Sequence, residues 1–323
     1  MLLGQDMKFH LMLLVIFGFL FLNIFGQEIP NFKPVLPNAT DSEINTFDTA
    51  HGVYFNPSVK AKNKLVVFIP GTNGTGLGGK TFAQVAANEG FHVVSISYPS
   101  SIAATSCHSQ NDENCFENFR REIIEGKDLS SLIDVNRANS IENRLQKLLV
   151  YLKKNFATEN WEQYLTKNEE INWEELILSG QSQGGGHAPL IAKSHKVSRV
   201  IMFSAPKDWD RANNKPAKWY GEGKTSLKNY FAFNHIQDKQ GCDYNQQLDN
   251  LKILGLFAFS EAVDVDKTTP PFKNSRILIT DYPNKPLTSI EAHTSLMSDG
   301  RTPVDKDGLP YFKPVWIYML TAE

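Results

Sequence analysis

An α/β fold with a mostly parallel central sheet, covered by helices on both faces, is what three features of the sequence predict. The first is a set of short, unbroken apolar runs: Leu65 to Ile69 (LVVFI), Phe91 to Tyr98 (FHVVSISY), Leu176 to Leu178, Val200 to Phe203, Tyr230 to Phe233 and Arg276 to Thr280 (RILIT). Runs without polar alternation are how strands buried on both faces read. The second is the helical or mixed patterning of the segments between them, the order that builds parallel strands joined by right-handed crossovers. The third is Gly180-Gln181-Ser182-Gln183-Gly184, a G-x-S-x-G sequence standing where a strand ends and a helix plausibly begins. With 323 residues, no internal repeat and no linker after Ala50, the chain reads as a single domain over 51–323.

In chain order, Met7 and Lys8 precede an apolar run from Leu11 to Phe25, short for a membrane span but suited to the core of a signal peptide over 1–26. Gly26 is a small residue at the point where the composition turns polar. Cleavage there yields a secreted or periplasmic protein without stable membrane insertion; retention of the run as an anchor is the alternative, and either exports the chain. Residues 27–50 carry Pro30, Pro34 and Pro37 and predict an extended lead-in. His51 to Asn56 predicts a short first strand. After LVVFI comes the glycine-rich loop Gly71 to Gly76, then a helix over Lys80 to Asn88. Pro99 to Ala138 predicts a solvated excursion over the sheet. Ser140 to Phe156 predicts the clearest helix, with Ile141, Leu145, Leu148, Leu149 and Leu152 on one face and Asn139 with Glu142 as a capping box. Gln246 to Phe259 mixes helical and apolar signals.

A formal net charge of −2 and the lack of a dense Lys/Arg block leave no electrostatic footprint for nucleic acid, so no such partner is expected. Export makes the three cysteines informative: Cys107 and Cys115 are close enough in sequence to pair in an oxidising compartment, which leaves Cys242 odd. The competing reading, a metal site, lacks any C-x-x-C or His-x-x-x-His spacing, and no metal or cofactor is expected. Two N-x-T sequons occur, at Asn38 and Asn73. A glycan on Asn73 and a catalytic role for its loop would exclude one another.

The chemistry starts from Ser182. A hydroxyl becomes a useful nucleophile only when a base takes its proton and a carboxylate holds that base. Bare Gly-x-Ser-x-Gly also describes a flexible loop, but the glycine run Gly184-Gly185-Gly186 would penalise an ordinary helix start by roughly 1 kcal/mol per residue. Close backbone packing is the reason to keep it. Of eight histidines, His10 lies in the export signal, and His51, His92 and His108 precede the serine. His187 and His195 lie on the helix leaving it, and His235 ends a strand. Only His293 follows the last strand, in a polar loop, and it is the expected base, with a plain surface histidine as the alternative. For the acid, the carboxylate is expected after the second strand beyond the serine's own, which favours Asp238; counting Gly255 to Phe259 as a strand selects Glu261 or Asp264 instead, with Asp266 nearby. GTNGTGLGGK lacks the Gly-Lys-Ser/Thr ending of a phosphate loop, so a loop offering backbone N–H groups to an oxyanion is the better reading.

Through LVVFIPGTNG, GQSQGGG and the late aspartate and histidine, the chain resembles the α/β-hydrolase superfamily from about Leu65 to Ser295. More narrowly it looks like a group of secreted members with a Ser-Gln-Gly elbow, a cysteine pair after the second of these strands and no assigned substrate. Cutinases share that elbow, but the chain is longer and its insertions differ, so their activity is not carried over. The resemblance implies an α/β-hydrolase fold, Ser182 as nucleophile, His293 as base, and an oxyanion hole from the backbone N–H groups of Gln183 and of Thr72, with Asn73 the neighbouring choice. The class this points to is a serine hydrolase of an ester, with an amide less favoured. A catalytically silent binding protein of the same fold at the cell surface is the other class. The polar segments Pro99 to Ala138 and Pro206 to Lys228, without a long apolar face, predict soluble or short acyl substrates rather than emulsified triglyceride.

Overall fold

The structure, a computed structural model, describes residues 29–323; the expected signal segment lies outside the described residues. Its centre is a nine-stranded sheet with strand order β1-β2-β4-β3-β5-β6-β9-β11-β10. These strands are β1 (Asn31–Val35), β2 (His51–Phe55), β3 (Leu65–Ile69), β4 (His92–Ser95), β5 (Leu176–Gln181), β6 (Arg199–Phe203), β9 (Tyr230–His235), β10 (Ala262–Asp264) and β11 (Ile277–Thr280). β7 (Trp209–Asp210) and β8 (Lys215–Pro216) form a separate small hairpin. β1 and β2 pair antiparallel with their neighbours, and every pairing from β4 across to β10 is parallel.

The helices are α1 (Pro37–Thr40), α2 (Lys80–Asn88), α3 (Cys115–Glu125), α4 (Ile141–Asn155), α5 (Gln183–Ser194), α6 (Tyr244–Leu254), α7 (Ser289–Thr294) and α8 (Lys313–Thr321). They divide between the faces, and strand periodicity explains how. Leu65, Val67 and Ile69 of β3 join one core with Phe119 and Ile123 of α3, Leu145 and Leu149 of α4, and Ile191 of α5. Val66 and Phe68 point the other way, into a second core with Phe82 and Val85 of α2 and Trp316 and Met319 of α8. An unbroken apolar run is what a strand with both faces covered requires. None of the helices among the described residues is long and apolar enough to cross a membrane.

Several expectations need correction. The lead-in is not merely extended: β1 adds an edge strand there, and Pro34 is tolerated because an edge strand needs ladder bonds on one side only. The Pro99 to Ala138 segment is not a solvated excursion, because α3 buries Phe116, Phe119, Ile123 and Ile124 at helical spacing against the sheet. Pro206 to Lys228 likewise buries Trp209, Ala217, Trp219 and Tyr220. α4 is capped by Ser140, whose hydroxyl accepts the Asn143 N–H at 3.3 Å, rather than by Asn139. Asn139 instead accepts from Thr46 N and from Arg144, tying the start of α4 to the N-terminal segment. The apolar stretch Gly255 to Phe259 is a 3₁₀ turn and not a strand. The expected cysteine pairing, by contrast, holds: Cys107 and Cys115 are disulfide-bonded with Cα atoms 5.6 Å apart, and Cys242 is free and buried.

Candidate active site

β5 delivers Ser182 to its position and α5 carries the chain away. Between them Ser182 adopts φ 55° and ψ −116°, a left-handed conformation that costs a non-glycine residue on the order of 1–3 kcal/mol. The surrounding glycines permit the turn through close approach. A Cβ on Gly184 would lie 1.9 Å from the Ile69 carbonyl oxygen at the end of β3, and one on Gly186 would lie 2.3 Å from the Arg120 guanidinium. The helix therefore starts pressed against the neighbouring strand and a buried cation. The Ser182 N–H donates to Phe203 O of β6 at 2.9 Å, which locks the turn to the sheet while its side chain stays half-exposed.

Opposite the serine runs the glycine-rich loop. Gly71 comes so close that a Cβ there would lie 3.1 Å from Ser182 Cβ. The Asn73 N–H is spent on Ser100 O at 2.9 Å, whereas among the described residues neither the Thr72 N–H nor the Gln183 N–H donates to a carbonyl. The Gln183 side chain ties the loops together: its Oε1 accepts from Thr72 Oγ1 at 3.1 Å and from Ala104 N at 2.8 Å, and its Nε2 donates to Ile102 O at 3.2 Å. A glutamine is suited to this post because its amide both donates and accepts.

His293 is not in a loop. It lies on α7, which Thr288 and Glu291 start with a reciprocal capping box. Its backbone carbonyl accepts from Ser204 Oγ at 2.7 Å and from Gln181 Nε2 at 3.4 Å, so residues at the ends of β5 and β6 hold the helix over the sheet edge. Its ring Nδ1 meets Asp238 Oδ2 at 2.8 Å. Asp238 lies just past β9 and is fully buried, with Oδ1 accepting the Gln240 N–H at 2.9 Å. Burial pushes its carboxyl up, but the hydrogen bond with His293 and the Lys207 ammonium outweigh that and hold it below the ordinary carboxylate value.

The other acids considered stand elsewhere. Asp264 pairs with Lys267 at 2.7 Å, Asp266 takes Thr280 Oγ1 and Asp281 N, and Glu261 is exposed. His235 binds Tyr282 O. His187 is buried with neither ring nitrogen partnered, and burial followed by the charge of Arg120 drives its pKa well below the usual histidine value.

Ser182, His293, Thr72 and Gln183 line one open cavity of about 310 Å³. Three charged side chains that sequence reasoning missed line it too: Arg120, Lys207 and Asp208. Arg120 forks onto Asp208 through Nε and Nη2, both at 2.6 Å, and its Nη1 donates to Gln183 O at 2.8 Å. Trp219 Nε1 also donates to Asp208 at 2.7 Å. The sequence offered one clue to this pair, an arginine on the apolar face of FENFRREII, but such a face is visible only once the segment is read as a helix. Among the described residues no group of three or more His, Cys, Asp or Glu side chains is arranged to hold a metal ion. No protein-family model matches the chain, and no curated protein matches it at a significant level.

Proposed function

We propose that the protein is an exported serine hydrolase of the α/β-hydrolase fold that cleaves a short acyl ester, or less readily an amide, through an acyl-enzyme. The observation that carries this reading is the conjunction, on one cavity, of Ser182 in a strained strand-to-helix turn with His293, whose ring is bound from behind by the buried Asp238. Asp238 accepts from Nδ1–H, leaving Nε2 of His293 as the base. In the reaction, Nε2 takes the proton of the Ser182 hydroxyl as Oγ bonds the acyl carbon. The carbon–oxygen bond to the alcohol then breaks, and the alcohol leaves with that proton. A water, deprotonated by the same nitrogen, next attacks the acyl-serine, and the acid departs as the serine regains its proton. The Thr72 and Gln183 N–H groups are the donors for the transient oxyanion.

The cavity lining supports a small, polar acyl group. Its apolar side chains are those of Ala103, Ala104 and Ile290, too few to hold a long acyl chain. Export is supported by the apolar run of residues 11–25 together with the Cys107–Cys115 disulfide. A fluorophosphonate probe tests the core of the proposal: it should label the purified protein at Ser182 and fail to label Ser182→Ala. Absence of labelling in the folded wild type would reject the reading in favour of a silent binding protein. Rates on p-nitrophenyl esters should fall with acyl length and show no jump above the micelle threshold.

A further inference from the structure

Lys207 has no part in the steps above, yet it touches the residue that orients the proposed base. It follows β6 and is 8% exposed, with its Nζ 2.8 Å from Asp238 Oδ2 and 3.5 Å from Cys242 O. Asp238 Oδ2 is also the atom that meets His293 Nδ1 at 2.8 Å. One carboxylate oxygen thus serves the lysine amino group and an imidazole at once. A carboxylate raises the proton affinity of a bound imidazole because it stabilises the imidazolium, and a cation on the same oxygen cancels much of that field.

We propose that Lys207 is a positioning residue that shares Asp238 Oδ2 with His293 and so tempers the hold of the carboxylate on the imidazole. Its catalytic meaning rests on the serine-hydrolase reading; its electrostatic content does not.

The surrounding charges leave this role to Lys207. Asp208, next in sequence, is neutralised by Arg120 of α3, and Arg211 reaches out to Gly241 O. The Cys242 thiol is protonated, since burial pushes it up to about 12, and Asp243 caps α6. On α7, Glu291 is exposed and engaged with Thr288; Lys239, beyond β9, is exposed, while His235 at the end of β9 and Asp281 after β11 bind Tyr282 O and Gln237. Among the described residues, only Lys207 and His293 form ion pairs with Asp238.

The test reads the titration of the His293 ring by NMR in a Ser182→Ala background, with and without Lys207→Met. Removing the cation should raise the midpoint by about one to two pH units, while Lys207→Arg should leave it close to the parent. In the serine-intact enzyme the acid limb of kcat/KM should move up by the same amount. Should the methionine variant not fold, Lys207→Gln, which keeps a donor for Oδ2 without the charge, is read in the same way. An unmoved midpoint in a folded variant overturns the inference. So does an effect confined to KM for negatively charged acyl groups, which would make Lys207 a substrate contact. Because the NMR arm needs no turnover, a shifted midpoint in a protein that hydrolyses nothing would reject the proposed function and keep this inference, and active enzyme with an unmoved midpoint would do the reverse.

Discussion

Ser182 and Asp238 are the residues on which the reading stands or falls. Ser182→Ala should leave the fold intact, because the side chain is small and half-exposed, and should lower esterase turnover by about four orders of magnitude or more. Asp238→Asn should cost about four orders as well, since an amide cannot hold His293 in the required tautomer. Asp264→Asn is the matched control: its carboxylate pairs with the exposed Lys267, and its loss should change turnover little. Steady-state kinetics on the three variants, each checked for folding by circular dichroism, decides between the acids. Severe loss in Asp264→Asn with a mild effect in Asp238→Asn would reverse the assignment. Ser204 belongs to the same scale: its hydroxyl holds the His293 backbone carbonyl, a role that one polar residue after a strand does not announce.

Among the elements, α3 reaches the cavity through a single residue, Arg120. Arg120 reaches from α3 under the start of α5, where Gly186 leaves room for its guanidinium, and binds both Asp208 and Gln183 O. Burial opposes its charge, but the Asp208 carboxylate prevails and raises the guanidinium pKa above its ordinary value. Removing one partner of such a pair strands a buried charge, so Arg120→Met should destabilise the fold by about 3–5 kcal/mol. Replacing both partners, with Asp208→Leu added, should recover much of the loss. Urea unfolding of the single and double variants tests this, and equal stability of wild type and Arg120→Met would show that the ion pair anchors nothing. The same packing predicts that Gly186→Ala is disruptive although alanine favours helices, since its methyl would meet the guanidinium.

For the whole molecule, buried titrating groups forecast acid sensitivity. His51 is fully buried, with Nδ1 accepting the Ser97 N–H; burial, then the nearby Arg144 charge, lowers its pKa to about 3. His187 moves the same way. A histidine kept neutral in the native state binds fewer protons than in the unfolded chain once the pH drops below 6.5, so stability is lost as pH falls from there toward the folded value. His51 alone should then cost about 2 kcal/mol between pH 7 and pH 5. Asp238, with its pKa depressed, adds a further loss below its ordinary value of 3.8. Urea midpoints at pH 7 and pH 5 should fall accordingly, and less so in His51→Gln. A pH-independent midpoint over this range would contradict the burial of these rings.

What the sequence determined alone was whatever local pattern encodes. The bounds of β3 and α2 follow from an unbroken apolar run and a helical period, and the Cys107–Cys115 pairing follows from proximity. The strand-to-helix turn at Ser182 was legible because glycine is needed wherever backbones nearly touch. What only the tertiary structure decided was everything set by partners distant in sequence. β1 is a strand because β2 lies beside it, and α3 is buried because the sheet offers a face to Phe119 and Ile123. Arg120 and Lys207 read as surface charges, since a long cationic side chain is normally solvated. Their burial depends on Asp208 and Asp238, 88 and 31 residues away, and a carboxylate that makes burial of a charge tolerable leaves no trace in the residues around the cation.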